Sequence, residues 1–138
     1  MTTLHNYFVR LQSTINSRQE IKVELMESSD NSEEADELSK FNAKLRFYDE
    51  SQLEAFEALL EEYRRVVKSR YSYHYQNSEG KLIFRYDNAP HHPEVETFPH
   101  HKHVGSDENV IAAQPPDLSD VLKEIDDFLY IQDTKNKR

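Results

Sequence analysis

Tyr71-Ser-Tyr-His-Tyr-Gln-Asn-Ser-Glu-Gly-Lys-Leu-Ile-Phe-Arg-Tyr-Asp87 is the stretch whose reading decides the fold. Tyr71, Tyr73 and Tyr75 alternate before a turn, and Leu82, Phe84 and Tyr86 alternate after it. A period of two belongs to a strand, whose successive side chains point to opposite faces. Asn77-Ser-Glu-Gly80 separates the two runs, with Gly80 free to take the positive φ of a tight turn. With Asn77 facing Gly80, Tyr75 faces Leu82, Tyr73 faces Phe84 and Tyr71 faces Tyr86. Such aromatic cross-strand pairs are worth roughly 0.2–1 kcal/mol each. The other face then sets Arg70 against Asp87, Ser72 against Arg85 and His74 against Ile83. A one-residue slip would throw the aromatic row to the wrong side.

Toward the N-terminus, residues 51–70 are ambiguous. Leu53, Phe56, Leu60, Tyr63 and Val67 fit a helix, as does the Glu and Ala content, while Phe56, Ala58 and Leu60 also fit a strand. Residues 40–49 alternate with Phe41, Ala43, Leu45 and Phe47 on one face. Residues 27–38 are Ser, Asp, Glu and Asn with almost nothing apolar, which predicts a mobile acidic loop. Ile21, Val23 and Leu25 alternate with Glu20, Lys22 and Glu24, the pattern of a half-buried strand. Leu4, Phe8, Leu11 and Ile15 form one helical stripe.

Toward the C-terminus, Asp87-Asn-Ala-Pro90 stops the strand. Residues 91–103, flanked or interrupted by Pro90, Pro93 and Pro99, read as an extended, rigid connection. Residues 112–116 form another breaker. Asp117-Leu-Ser-Asp120 then opens a helix as an N-cap with an acid at the third position, and Leu118, Val121, Leu122, Ile125, Phe128 and Leu129 make its apolar face. Residues 133–138 read as a frayed, disordered tail.

The 138-residue length suits one domain, here residues 1–132. The absence of cysteine excludes disulfides and thiolate chemistry, and no apolar run is long enough to span a membrane. With no leader-like N-terminus, a cytoplasmic location is expected. A net charge of −9 argues against broad nucleic-acid binding, yet the charge is uneven. Residues 61–104 hold seven basic and six acidic residues, together with six of the seven histidines, so the acid sits on the flanks. A neutral-to-basic site on an acidic body fits that distribution.

Phe84-Arg-Tyr-Asp-Asn-Ala-Pro-His-His-Pro93, followed by Phe98-Pro-His-His-Lys-His103, resembles the TumE-type toxin family of bacterial toxin–antitoxin systems. The likeness is strong over about a quarter of the chain, residues 73–104, and extends more weakly to residues 45–49 and the closing helix. It implies two strands across 51–70 with a turn near Glu61–Glu62, in place of the helix that composition favours. It also implies a cognate helix-turn-helix antitoxin as partner, and no settled catalytic mechanism.

The loop histidines His91, His92, His100, His101 and His103 carry the chemistry. Imidazole serves as proton donor, proton acceptor or metal ligand near neutrality. A metal-independent ribonuclease-like hydrolase needs a base, an acid and a phosphate-binding cation. His91 or His92, His101 or His103, and Arg85 or Lys102 fill those roles without a cofactor. The alternative is a divalent metal such as zinc, with His101 and His103 two apart on one extended face, His91 or His92 as third ligand, and Asp87 as oxygen ligand or orienting partner. The plain structural alternative is that these rings cap loop backbone groups and Arg85 and Asp87 form cross-strand pairs. The expected fold is α+β, an antiparallel meander of about five strands with N- and C-terminal helices packed on one face. The expected function is a toxin component, with RNA as the expected substrate of a hydrolase. The competing reading is a non-catalytic protein whose histidine loop holds a metal or a partner.

Overall fold

Alternating apolar residues carry the chain through a seven-stranded antiparallel meander in a computed structural model that describes residues 3–136. The strands follow one another in sequence order: β1 (Lys22–Ser29), β2 (Ser39–Arg46), β3 (Gln52–Glu62), β4 (Arg65–Gln76), β5 (Leu82–Asp87), β6 (His101–Val104) and β7 (Val110–Ala112). Helices α1 (Thr3–Asn16) and α2 (Leu118–Asn136) cover one face. Leu4, Phe8, Leu11 and Ile15 of α1 and Leu118, Val121, Leu122, Ile125 and Leu129 of α2 are buried there. They pack on Phe41, Ala43, Leu45, Leu53, Ala55, Leu59, Tyr71, Tyr73, Tyr75 and Phe84. Full burial of one such aliphatic or aromatic side chain contributes about 1.5–3 kcal/mol. The α+β expectation therefore holds, with two short strands, β6 and β7, added after the proline-rich segment.

The hairpin of residues 71–87 forms, but in a different register. Tyr73 faces Tyr86, Tyr75 faces Phe84, Ser72 faces Asp87 and His74 faces Arg85. The turn closes at Lys81, one residue later than expected, through the Asn77 N–H to Lys81 carbonyl bond at 2.9 Å. A bulge between Tyr75 and Gln76 on one side and Leu82 and Phe84 on the other adds the second residue. Two single-residue shifts leave the aromatic row on its expected face, because a strand's period is two.

Residues 52–76 are two strands, as the family resemblance implies, and not a helix. The turn is Tyr63–Arg64, both in the left-handed region at φ 50° and 63°. A two-residue hairpin loop with two positive φ values has the twist that flanking strands need. The row of β3 that meets the helices is Leu53, Ala55, Glu57 and Leu59; Phe56 and Leu60 lie on the opposite face. A bulge between Ala58 and Leu59 leaves Ser69 unpaired and turns Lys68 toward the helices, opposite Leu59.

β1 is an edge strand and mostly exposed, with Val23 and Leu25 each 39% accessible. A bulge at Glu24 puts Val23 opposite buried Leu45 and Leu25 opposite Lys44, so the predicted apolar row is split between faces. Glu27, Ser28 and Ser29 pair with residues 40–42, and the acidic loop begins only at residue 30. At the other end α2 runs to Asn136, past residue 133; residues 137 and 138 of the predicted tail lie outside the described residues.

Candidate functional site

Two buried polar clusters lie on opposite faces of the sheet. On the helix face, Glu57 is 1% exposed and its carboxylate accepts from the hydroxyls of Tyr7 and Tyr73. The Lys68 ammonium stands 3.8 Å from the same carboxylate, donates to the Tyr73 oxygen at 2.6 Å and to the Pro116 carbonyl at 2.9 Å. It also lies over the rings of Tyr71 and Tyr73, at 5.0 and 4.9 Å from their centroids. Burial pushes the Lys68 pKa down, against the opposing pull of Glu57, Asp117 and Asp120. Here every acceptor meets a donor, and the cluster ties α1, β3, β4 and the approach to α2 together.

The second cluster lies on the open face, under the segment that links β5 to β6. Antiparallel pairing puts Asp87 opposite His101 and Arg85 opposite His103. Asp87 is 6% exposed, His101 2% and His103 8%. His101 Nε2 lies 3.0 Å from Asp87 Oδ1 and 3.1 Å from His103 Nε2, while His103 Nε2 lies 3.5 Å from Asp87 Oδ2. His92, from the connecting segment, packs its ring edgewise against both, with centroids 4.9 and 5.6 Å away. One ligating nitrogen from each of the three rings lies within 4.8 Å of the others.

The outer nitrogens of these rings are committed elsewhere. His101 Nδ1 donates to the Pro99 carbonyl and His103 Nδ1 to the Asp107 carbonyl, both at 2.9 Å. His92 Nδ1 faces the Glu94 carboxylate at 3.3 Å. Asp87 in turn accepts from Arg85 Nε at 3.0 Å and from the Ala89 N–H at 2.9 Å. Burial raises the Asp87 carboxyl, but the Ala89 N–H, Arg85 and the nearby His101 outweigh it and hold the group below the usual carboxylate range. Arg85 also reaches His74, Nη1 to Nδ1 3.3 Å.

Of the residues singled out in the sequence, the fold thus gathers His92, His101, His103, Arg85 and Asp87. It does not bring His91 or Lys102 to them. His91 is exposed, and its backbone N–H closes a turn onto Ala89. Lys102 points to the helix face, where it meets Glu124 of α2 at 2.6 Å, because it sits between His101 and His103 in a strand. His100 is on that face too, stacked on Tyr71 with Nδ1 2.9 Å from the tyrosine oxygen. Burial, then the neighbouring His101 and Lys68, push the His100 pKa down. Sequence reasoning missed His74 as the partner of Arg85, and missed Glu57 entirely. A glutamate in a strand between Phe56 and Ala58 was the available signal for the latter.

Beside the cluster the open face is a groove. A cavity of about 410 Å³ is lined by Lys40, Phe56, Arg70, Arg85 and Asp87 among others. A second, of about 210 Å³, shares Phe56, Ser72 and Arg85 with it and adds Lys44, Glu54 and His74. No helix among the described residues is long and apolar enough to cross a membrane.

Comparison with known proteins bears on what this arrangement serves. The family model described as Toxin TumE matches residues 13–132 of the chain. No curated protein and no solved structure matches it.

Proposed function

The chain belongs to the TumE family of toxins, and from that premise we propose that it is the toxin of a toxin–antitoxin pair and acts by hydrolysing RNA. A cognate helix-turn-helix antitoxin is its partner in this reading. The observation that carries the hydrolase part is the continuity between the open-face groove and the buried histidine cluster, through Arg85 and Asp87. Lys40, Lys44, Arg70 and Arg85 outnumber Glu54 and Asp87 along that groove, although the whole chain is −9. A cationic strip on an acidic body suits a polyanion held in one place. Phe56, half-buried in the floor of both cavities, offers a ring on which a base stacks.

The chemistry follows from the same groups. Arg85, oriented by Asp87, bears on the non-bridging oxygens of a phosphodiester. The cluster beside it takes up the proton of the attacking hydroxyl or water as that oxygen bonds to phosphorus, and a proton returns to the leaving oxygen as its bond to phosphorus breaks, while Arg85 meets the charge that develops. Induced expression of wild type beside Asp87→Asn and Arg85→Gln tests this, scored for growth and for total RNA integrity. The expected result is growth arrest with RNA breakdown in wild type only, with both variants folded by circular dichroism. Growth arrest with intact RNA, or equal RNA breakdown in all three, would overturn the hydrolase reading.

A further inference from the structure

We propose that His92, His101 and His103 form a three-imidazole site for a first-row divalent cation of the zinc type, with its fourth position open beside Asp87. The inference rests on the reading of this cluster as the working site and supplies the cofactor it uses, in place of the metal-independent acid–base pair expected from the sequence.

The groups around the two buried rings fix their hydrogen positions. A backbone carbonyl only accepts, so the Nδ1 atoms of His101 and His103, bonded to Pro99 and Asp107 carbonyls, both carry hydrogen. In the neutral rings the two Nε2 atoms are then bare lone pairs. They face each other at 3.1 Å and face the Asp87 carboxylate at 3.0 and 3.5 Å. Asp87 has donors in Arg85 and the Ala89 N–H, but the two buried Nε2 lone pairs have none in the neutral rings, and a cation shared between them supplies their partner.

The spacing says which kind. Ligand atoms about 2.0–2.1 Å from a tetrahedral zinc ion lie about 3.3 Å from one another. His101 Nε2 and His103 Nε2 stand 3.1 Å apart, close to that value, and the ligating nitrogen of His92 lies within 4.8 Å of both. The rings of His92, His101 and His103 are inclined to one another by 67° to 77°, and one nitrogen from each lies within 4.8 Å of the others. Three imidazole nitrogens suit zinc and its first-row neighbours and do not suit magnesium or calcium. Ring N–H groups held by carbonyls or a carboxylate, and an aspartate held by Arg85 and a backbone N–H, are the outer-shell pattern that orients metal ligands. The ligands come from the connecting segment and β6, so an ion pins that segment to the strand.

The test is cobalt(II) and zinc binding to the chelator-treated full chain. Cobalt should give the intense visible bands of tetrahedral coordination at one equivalent, and zinc should displace it and raise the melting temperature. His101→Gln and His103→Gln should lose the bands, Asp87→Asn should weaken binding about 10–100-fold, and His91→Ala should match wild type. Circular dichroism identifies any variant that fails to fold, and wild-type stoichiometry decides the matter if both His variants do. Wild type without stoichiometric cobalt or zinc binding overturns the proposal, as do His101→Gln and His103→Gln variants that keep the bands. RNA breakdown that persists in wild type stripped of metal sinks the cofactor and leaves the hydrolase reading intact. Stoichiometric metal without RNA breakdown does the reverse.

Discussion

The two faces of one sheet bury the same kinds of groups to opposite effect. On the helix face, Glu57 receives two tyrosine hydroxyls and a lysine, and Lys68 finds further acceptors in Tyr73 and Pro116. On the open face, Asp87 is held by Arg85 and the Ala89 N–H, while two imidazole nitrogens, their Nδ1 hydrogens committed to carbonyls, face each other and the carboxylate. The first cluster is complete as the chain folds. The second leaves two converging imidazole nitrogens free to take the metal ion proposed above. A fully matched buried network serves the fold, whereas a convergent and unmatched one costs stability and is kept for its chemistry.

The difference can be broken from the stability side first. Glu57→Ala leaves the Lys68 charge buried without its counter-ion, and should destabilise the chain by about 3–5 kcal/mol. Urea unfolding measures this; a loss below about 1 kcal/mol would remove the contrast, since loss of a surface pair costs no more than that. Glu57→Gln keeps an acceptor for one of the two tyrosine hydroxyls and should cost less than Glu57→Ala.

A smaller effect is expected at the cap beside that cluster. Asp117 Oδ1 accepts the Asp120 N–H at 2.8 Å and the Ser119 hydroxyl at 2.7 Å, and Asp120 returns a bond to the Asp117 N–H. Asp117→Ala should cost about 1 kcal/mol and leave metal binding unchanged. Burial raises the Asp117 carboxyl, but these hydrogen bonds and Lys68 hold it below the ordinary value of 3.8. A carboxyl depressed in the folded state adds stability that is fully present above its unfolded pKa. That stability is lost as pH falls through the folded value. The gap between wild type and Asp117→Ala should therefore be widest above pH 4 and close in stronger acid. Paired acid titrations of the melting temperature would show a constant gap if the cap were not ionised.

On the open face the expected stability change is the smallest of the destabilising set. His103→Leu removes one of the confronting lone pairs, and should leave metal-free stability within about 1 kcal/mol of wild type. It should nevertheless abolish toxicity. A large loss of stability in the metal-free chain would place this cluster in the same class as Glu57. A gain is expected at the β3–β4 turn, where Tyr63 and Arg64 both hold left-handed φ values that Asn and Gly adopt more readily. Tyr63→Asn with Arg64→Gly should stabilise by about 1 kcal/mol without altering toxicity, by melting and growth assay.

How far each cluster was legible in the sequence follows the same division. Strict alternation at Tyr71–Tyr75 and Leu82–Tyr86 identified the hairpin and its buried face, even though turn and bulge moved the register by two residues. Alternation also put His101 and His103 together, and so put Lys102 on the far side. Which of His91 and His92 joins them was not legible, because beyond Pro90 no periodicity governs direction. Glu57 stayed hidden for a different reason. Residues 51–70 carry both helical and strand periods, and only the pairing of β3 with β2 and β4 decides that Glu57, and not Phe56, faces the helices. The bulge that turns Lys68 inward has no sequence mark of its own.

Long-range proton–nitrogen NMR of the histidine rings during zinc titration tests the contrast most directly. The account predicts hydrogen on Nδ1 of both His101 and His103, and a ligation shift at both Nε2 atoms that saturates at one equivalent. Rings that carry hydrogen on Nε2 in the metal-free neutral state, and that do not respond to zinc, would contradict it.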